Sequence, residues 1–150
     1  MALVDKLTQL EGMSALRNPF EVERFNAILG EIAELGDPAS IGPLLLLLRD
    51  GHPEEEVQFG IVHVVEDFTA HQEARELLRV LPQLSRQAPE WTDTLHWRIL
   101  NDPSSREAYA AELRAASELS RRAARTVLER IRHNDPDEFA AHCNELLRAA

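Results

Sequence analysis

Between residues 53 and 68, Val57, Ile61, Val64, Val65 and Phe68 fall at i, i+4, i+7, i+8 and i+11, the apolar spacing of one helix face. Phe59 and Val62 widen that stripe, which predicts that this helix is the most buried of the chain. Ser120, Ala124, Val127, Leu128 and Ile131 repeat the pattern within 117–133, surrounded by five arginines. Phe139, Cys143, Leu146 and Leu147 repeat it in the last segment. No run alternates with a period of two, so the pattern predicts an all-α fold.

Prolines punctuate the stripes. Asp37-Pro38, Asp102-Pro103 and Asp135-Pro136 read as helix starts, because aspartate accepts from the free amides of a first turn and proline at the first helical position has no amide to leave unpaired. Asn18-Pro19 and His52-Pro53 are weaker forms of that signal, and Ala88-Pro89 a weaker one still. Gly36 and Gly51 stand where left-handed caps are expected. The resulting reading is nine helices, near 2–17, 20–35, 38–50, 53–68, 71–87, 89–101, 103–115, 117–133 and 136–148, in one domain covering 1–150. Helix starts recur after 34 residues (Pro19 to Pro53), 36 (Pro53 to Pro89) and 33 (Pro103 to Pro136). Two short helices per period of that length point to a short α-solenoid of stacked hairpins, with an irregular helical bundle as the alternative. The stretch Gly36–Phe68 resembles one HEAT repeat.

Charge changes the picture. The 150 residues carry 16 basic and 26 acidic side chains, a formal charge of −10. Residues 1–76 hold 5 and 15 of these and residues 77–150 hold 11 and 11, so the whole deficit lies in the first half. That balance argues against binding a phosphate backbone or an anionic membrane. A single cysteine, Cys143, excludes an internal disulfide framework and fits a reducing compartment. The first residues form no apolar run of signal-peptide length, which leads to the expectation of a cytoplasmic protein.

Catalytic patterns are sparse. His63, Asp67 and His71 at i, i+4, i+8 would line one face of an unbroken helix, a conceivable metal stripe. Thr69-Ala70, however, is the expected break in that helix and would turn His71 away. The six glycines are scattered and form no phosphate-cradling loop. Cys143 lies on an apolar stripe and reads as a small core residue. The expectation is no enzyme, no metal and no cofactor. The densest acidic run is Glu54-Glu55-Glu56, which suits a first helical turn. With Asp50, Glu66, Asp67, Glu73 and Glu76 it places eight acids against two arginines within 49–76, a regional excess that would attract a basic partner. Both tryptophans lie in 90–101: Trp91 shares a face with Leu95 and Ile99 and reads as core, whereas Trp97 points away and suits either a wedge under a neighbouring helix or an interface anchor.

The helix Val57–Phe68, followed after a helical spacer by Trp91-x3-Leu95-x2-Arg98-Ile99-Leu100-Asn101, resembles the immunity protein 30 family of bacterial polymorphic-toxin systems over about residues 36–103. The resemblance implies an all-helical cytosolic protein that binds and blocks a cognate secreted toxin, with a nuclease as one candidate class, and that needs no cofactor. It marks Gly60, Glu66, Phe68, Trp91, Arg98 and Asn101 as signature positions with structural roles. Gly60 would serve a close helix crossing that admits no Cβ, and Glu66 would pair with Arg98 or a helix end. Contact with the toxin's basic surface is expected from Glu54, Glu55, Glu56 and Asp67, with Trp97 as a possible hot spot. The alternative is a HEAT-like adaptor that binds a basic protein or peptide.

Overall fold

The computed structural model describes residues 2–150. Among these residues all regular structure is helical, with no strand: α1 (Ala2–Gly12), α2 (Pro19–Leu35), a 3₁₀ turn (Pro38–Ser40), α3 (Ile41–Leu45), α4 (Glu55–Glu66), α5 (Ala70–Gln87), α6 (Pro89–Leu100), α7 (Pro103–Ala115), α8 (Glu118–Asn134) and α9 (Pro136–Leu147). No described helix is long and apolar enough to cross a membrane.

The caps explain most boundaries. Asn18 accepts from the Glu21 amide and Asp102 from the Ser105 amide, both at 2.9 Å, so α2 and α7 begin at the prolines that follow. Gly36 ends α2 in the left-handed region at φ 61°. Thr69 breaks the chain between α4 and α5 through a reciprocal capping box with Gln72. His71 therefore opens a new helix and pairs with Glu112 on α7, at 3.0 Å.

Four expectations about these elements need correction. The first helix stops at Gly12, five residues before the expected end, in a turn where Leu16 takes a left-handed φ of 50°. The expected helix 38–50 shrinks to the 3₁₀ turn and five residues of α3. Leu44, Leu45, Leu47 and Leu48 are buried on more than one side, so that run carries no helical phase. The helix expected at Pro53 begins at Glu55, because the Glu54 amide donates to His52 Nδ1 and holds a turn there. Nor is α4 the most buried helix: α6 hides six of its 12 residues, α4 five of 12 and α3 four of its five.

The helices lie in two rows. Leu29 of α2 faces Gly60 of α4. Phe59 and Trp91 meet edge to face, with ring centroids 4.8 Å apart. Glu66 pairs with Arg98 further along. Both of the last two pairs join α4 to α6 at the same sequence offset, so these helices run side by side in one direction. In the second row Gly42 of α3 approaches Val80 of α5, and Arg75 of α5 pairs with Glu112 of α7. The hairpin α8–α9 covers the far end, with Ser120 donating to the Leu78 carbonyl at 2.6 Å and Arg132 to Asn144 at 2.7 Å. One buried apolar cluster extends from Leu10 to Ala149.

The glycine expectation also changes. A Cβ on Gly60 would sit 3.7 Å from Leu29 Cδ2, ordinary van der Waals contact, so the crossing of α2 and α4 does not require glycine. The close approach belongs to Gly42, where a Cβ would come within 3.0 Å of Val80 Cγ1.

Candidate functional site: an acidic furrow between α4 and α6

The parallel helices α4 and α6 are bridged by side chains, leaving a furrow with a groove at each end. The groove at their N-terminal ends, about 260 Å³, is lined by Asp50, His52, Glu55, Phe59, Glu90 and Trp91 among others. Its floor is the Phe59–Trp91 aromatic pair and its rim carries Glu55 and Glu90, both exposed. Asp50 is held in place by structural bonds. Its carboxylate accepts from the Glu90 and Trp91 amides at 2.9 and 3.0 Å, capping α6 from a segment about 40 residues earlier. The Trp91 indole donates to the Arg49 carbonyl at 3.1 Å beside it. This distant cap explains why Ala88-Pro89 starts a helix with no capping side chain of its own.

The groove at the C-terminal ends, about 340 Å³, is lined by Glu66, Phe68, Glu73, Arg98, Asp102 and Ser105 among others. Arg98 grips Glu66 through two bonds of 2.6 and 2.8 Å, a bidentate fork, and the bond to that carboxylate raises the guanidinium pKa. Asp102 caps α7 and bonds the Ser105 hydroxyl at 2.7 Å, contacts that lower its pKa. Glu73, on α5, lines the same groove at 9% exposure. Burial, reinforced by the nearby Glu66 charge, pushes its carboxyl up to about 7.

The expected contact residues divide. Glu55 lines the first groove, Glu56 is exposed beside it, and Glu54 is half-buried at the start of α4. Asp67 faces elsewhere, lining a shallow groove with Ala33, Gly36, Val64 and Phe68 on the α2 side. Trp97 stands outward on α6 at 38% exposure. Of the signature positions, Trp91 is buried, Phe68 half-buried, and Asn101 ends α6 through its amide. His63 and His71 do not converge with Asp67, and among the described residues no group of three His, Cys, Asp or Glu could hold a metal. Cys143 is buried, and desolvation raises its thiol pKa. Sequence reasoning missed Glu90 and Asp102 as groove residues, because both read as ordinary helix-start acids.

Beneath α6, on the side facing α7, His96 is fully buried and satisfied at both nitrogens. Nδ1 bonds the Thr92 carbonyl at 2.8 Å and must donate, since a carbonyl only accepts. Nε2 is then the acceptor, and the fully buried Tyr109 hydroxyl donates to it at 2.7 Å. Desolvation lowers the imidazole to about 4 and raises the phenol well above its ordinary value, so both are neutral.

No curated protein and no solved structure matches the chain. The sequence model of one family, described as immunity protein 30, matches residues 12–109. That span starts about two dozen residues before the segment the sequence pattern had marked, takes in the whole of α2, and covers the α4–α6 furrow. With about two thirds of its length matched, the chain belongs to the immunity protein 30 family.

Proposed function

We propose that the chain neutralises a cognate secreted bacterial toxin by laying the acidic furrow between α4 and α6 over a basic surface of that toxin. Family membership supplies the toxin as the class of partner. The observation that carries the surface is the furrow itself: Glu55 and Glu90 rim an aromatic floor at one end, while Glu66, Glu73 and Asp102 gather at the other. Acids arranged this way speed encounter with a basic protein and disfavour nucleic acid. A toxin with a basic substrate cleft, as in a nuclease, fits this sign; an acidic cover would then exclude substrate while holding the enzyme. The two rows of helices support a HEAT-like stack as the scaffold, with the furrow on its α2–α4–α6 side.

The test is co-expression with the C-terminal toxin domain encoded beside this gene. Growth should be rescued and a complex recovered. Changing Glu54, Glu55 and Glu56 together to lysine should slow association about tenfold or more and flatten its salt dependence. Unchanged association rates would remove the acidic surface from the account. Failure of the wild-type chain to rescue growth would remove the toxin.

A further inference from the structure

Glu73 makes no structural bond that explains its burial. Only 9% of it is exposed, yet its carboxyl takes part in no hydrogen bond or ion pair with any described residue. Arg98, the cation lining the same groove, directs Nε and Nη2 to Glu66 and makes no hydrogen bond to Glu73. Asp102 receives both Ser105 donors on a single oxygen, Oδ2, which leaves Oδ1 without a donor among the described residues. The groove thus presents open carboxylate acceptors on α5 and at the start of α7, walled by Phe68 and Ile99. The side chain of Glu73 is packed in, but its carboxyl oxygens open on the groove and not on a protein donor, so their accepting capacity is available to a ligand.

The chemistry of these acceptors selects a ligand. A compact metal ion does not suit them, since no three such groups among the described residues converge at ligand distance. A long side chain with a spread of N–H donors does suit them, and about 340 Å³ of groove accommodates its aliphatic stem against the apolar wall. We propose that this groove is a socket for one cationic side chain, arginine or lysine, that the partner protein inserts between Glu73 and Asp102. The inference rests on the reading that the furrow meets a basic protein, and it names one point of that meeting. A buried charge pair at the centre of a polar surface makes a hot spot, while the exposed acids around Glu55 act at longer range.

The experiment titrates the full-length 15N-labelled chain at pH 8, where Glu73 is ionised, with Nα-acetyl-arginine amide, Nα-acetyl-lysine amide and the neutral Nα-acetyl-citrulline amide. Saturable shifts should cluster at Ala70–Glu73, Ile99–Asp102 and Ser105 with the cationic probes only, and the better of the two identifies the side chain. Glu73→Gln should keep the amide spectrum and weaken binding at least fivefold. Asp102→Asn, which keeps a capping side chain, should weaken it less. Shifts that are absent, equally strong with citrulline, or unchanged in Glu73→Gln would overturn the socket. The toxin separates the two readings. Wild-type affinity of Glu73→Gln for a toxin that the chain does neutralise would sink the socket and spare the immunity function. Probe binding without any toxin neutralisation would sink the immunity function and leave the socket.

Discussion

Helix α6 borders two polar regions that the fold treats in opposite ways. On its inner side His96 and Tyr109 are sealed from solvent, and every polar atom named there has a partner of the right kind. On its outer side Glu73 is almost as deeply buried but opens on a groove, and no protein donor reaches it. A closed, satisfied network fixes how α6 lies on α7 and offers nothing to a ligand. A carboxyl that opens on a groove contributes nothing to that packing and leaves its bonding capacity available. The contrast separates structural polar burial from burial that serves recognition.

The largest effect should come from emptying the sealed side. Tyr109→Ala removes a fully buried ring and the donor to His96 together, and should cost about 3–5 kcal/mol of unfolding free energy in a denaturant melt. A loss below about 1 kcal/mol would mean that the α6–α7 junction is not tightly packed.

Next comes pH, where the two regions pull against each other. His96 is lowered to about 4 in the fold, so between that value and the ordinary histidine range the unfolded chain binds the extra proton and stability rises with pH. Glu73 is raised to about 7, so between the ordinary carboxylate range and that value the folded chain binds the extra proton and stability falls as pH rises. Across pH 4.5–6.5 the two slopes offset each other. Glu73→Gln should remove one of them, leaving stability that climbs by about 1 kcal/mol per pH unit in that window. The same variant should exceed the wild type by about 2–3 kcal/mol at pH 8, where the wild type carries a buried charge. Chemical denaturation at several pH values reads both effects, and parallel profiles for the two proteins would place Glu73 in an ordinary solvated setting.

A smaller effect tests the cap that joins the regions at the start of α6. Asp50→Ala should cost about 1–2 kcal/mol and speed hydrogen exchange at Glu90 and Trp91, the two amides it holds. Smallest is a pair of glycine substitutions. Gly60→Ala has room for its methyl and should stabilise α4 by about 0.5–1 kcal/mol, whereas Gly42→Ala must displace Val80 and should not stabilise. Thermal melts that ranked the two the other way would overturn the assignment of the close approach to Gly42.

What the amino-acid order discloses follows from the range of the forces involved. The α8 stripe of Ser120, Ala124, Val127, Leu128 and Ile131 is buried position for position, because a helix with one apolar face records its own orientation. Asn18 and Asp102 mark their helices from within three residues. The cap on α6 was illegible, since its oxygen comes from Asp50, far back in the chain. The leucines of 44–48 lost their phase through burial on several sides. For the furrow, the regional excess of acid was visible and Glu66 and Arg98 were paired in advance as one option. Their convergence with Glu73 and Asp102 depends on how α5 and α7 flank the ends of α4 and α6, which no local pattern encodes. Asp67 and Glu66 are neighbours in sequence, yet the helix turn between them sends one toward α2 and the other into the furrow.

The cap that Asp50 provides also bears on the order in which the chain is made. The N-terminus of α6 has no oxygen of its own to nucleate on, and an isolated 12-residue helix is marginal in water. Asp50 and the Arg49 carbonyl leave the ribosome some 40 residues ahead of the amides and the indole N–H they accept from. The segment that ends in Asp50 has therefore emerged before Glu90 and Trp91, and α6 has an external cap available as it forms. A fragment that begins after Asp50 would lack that cap, and its share of the furrow would be the first part to fray.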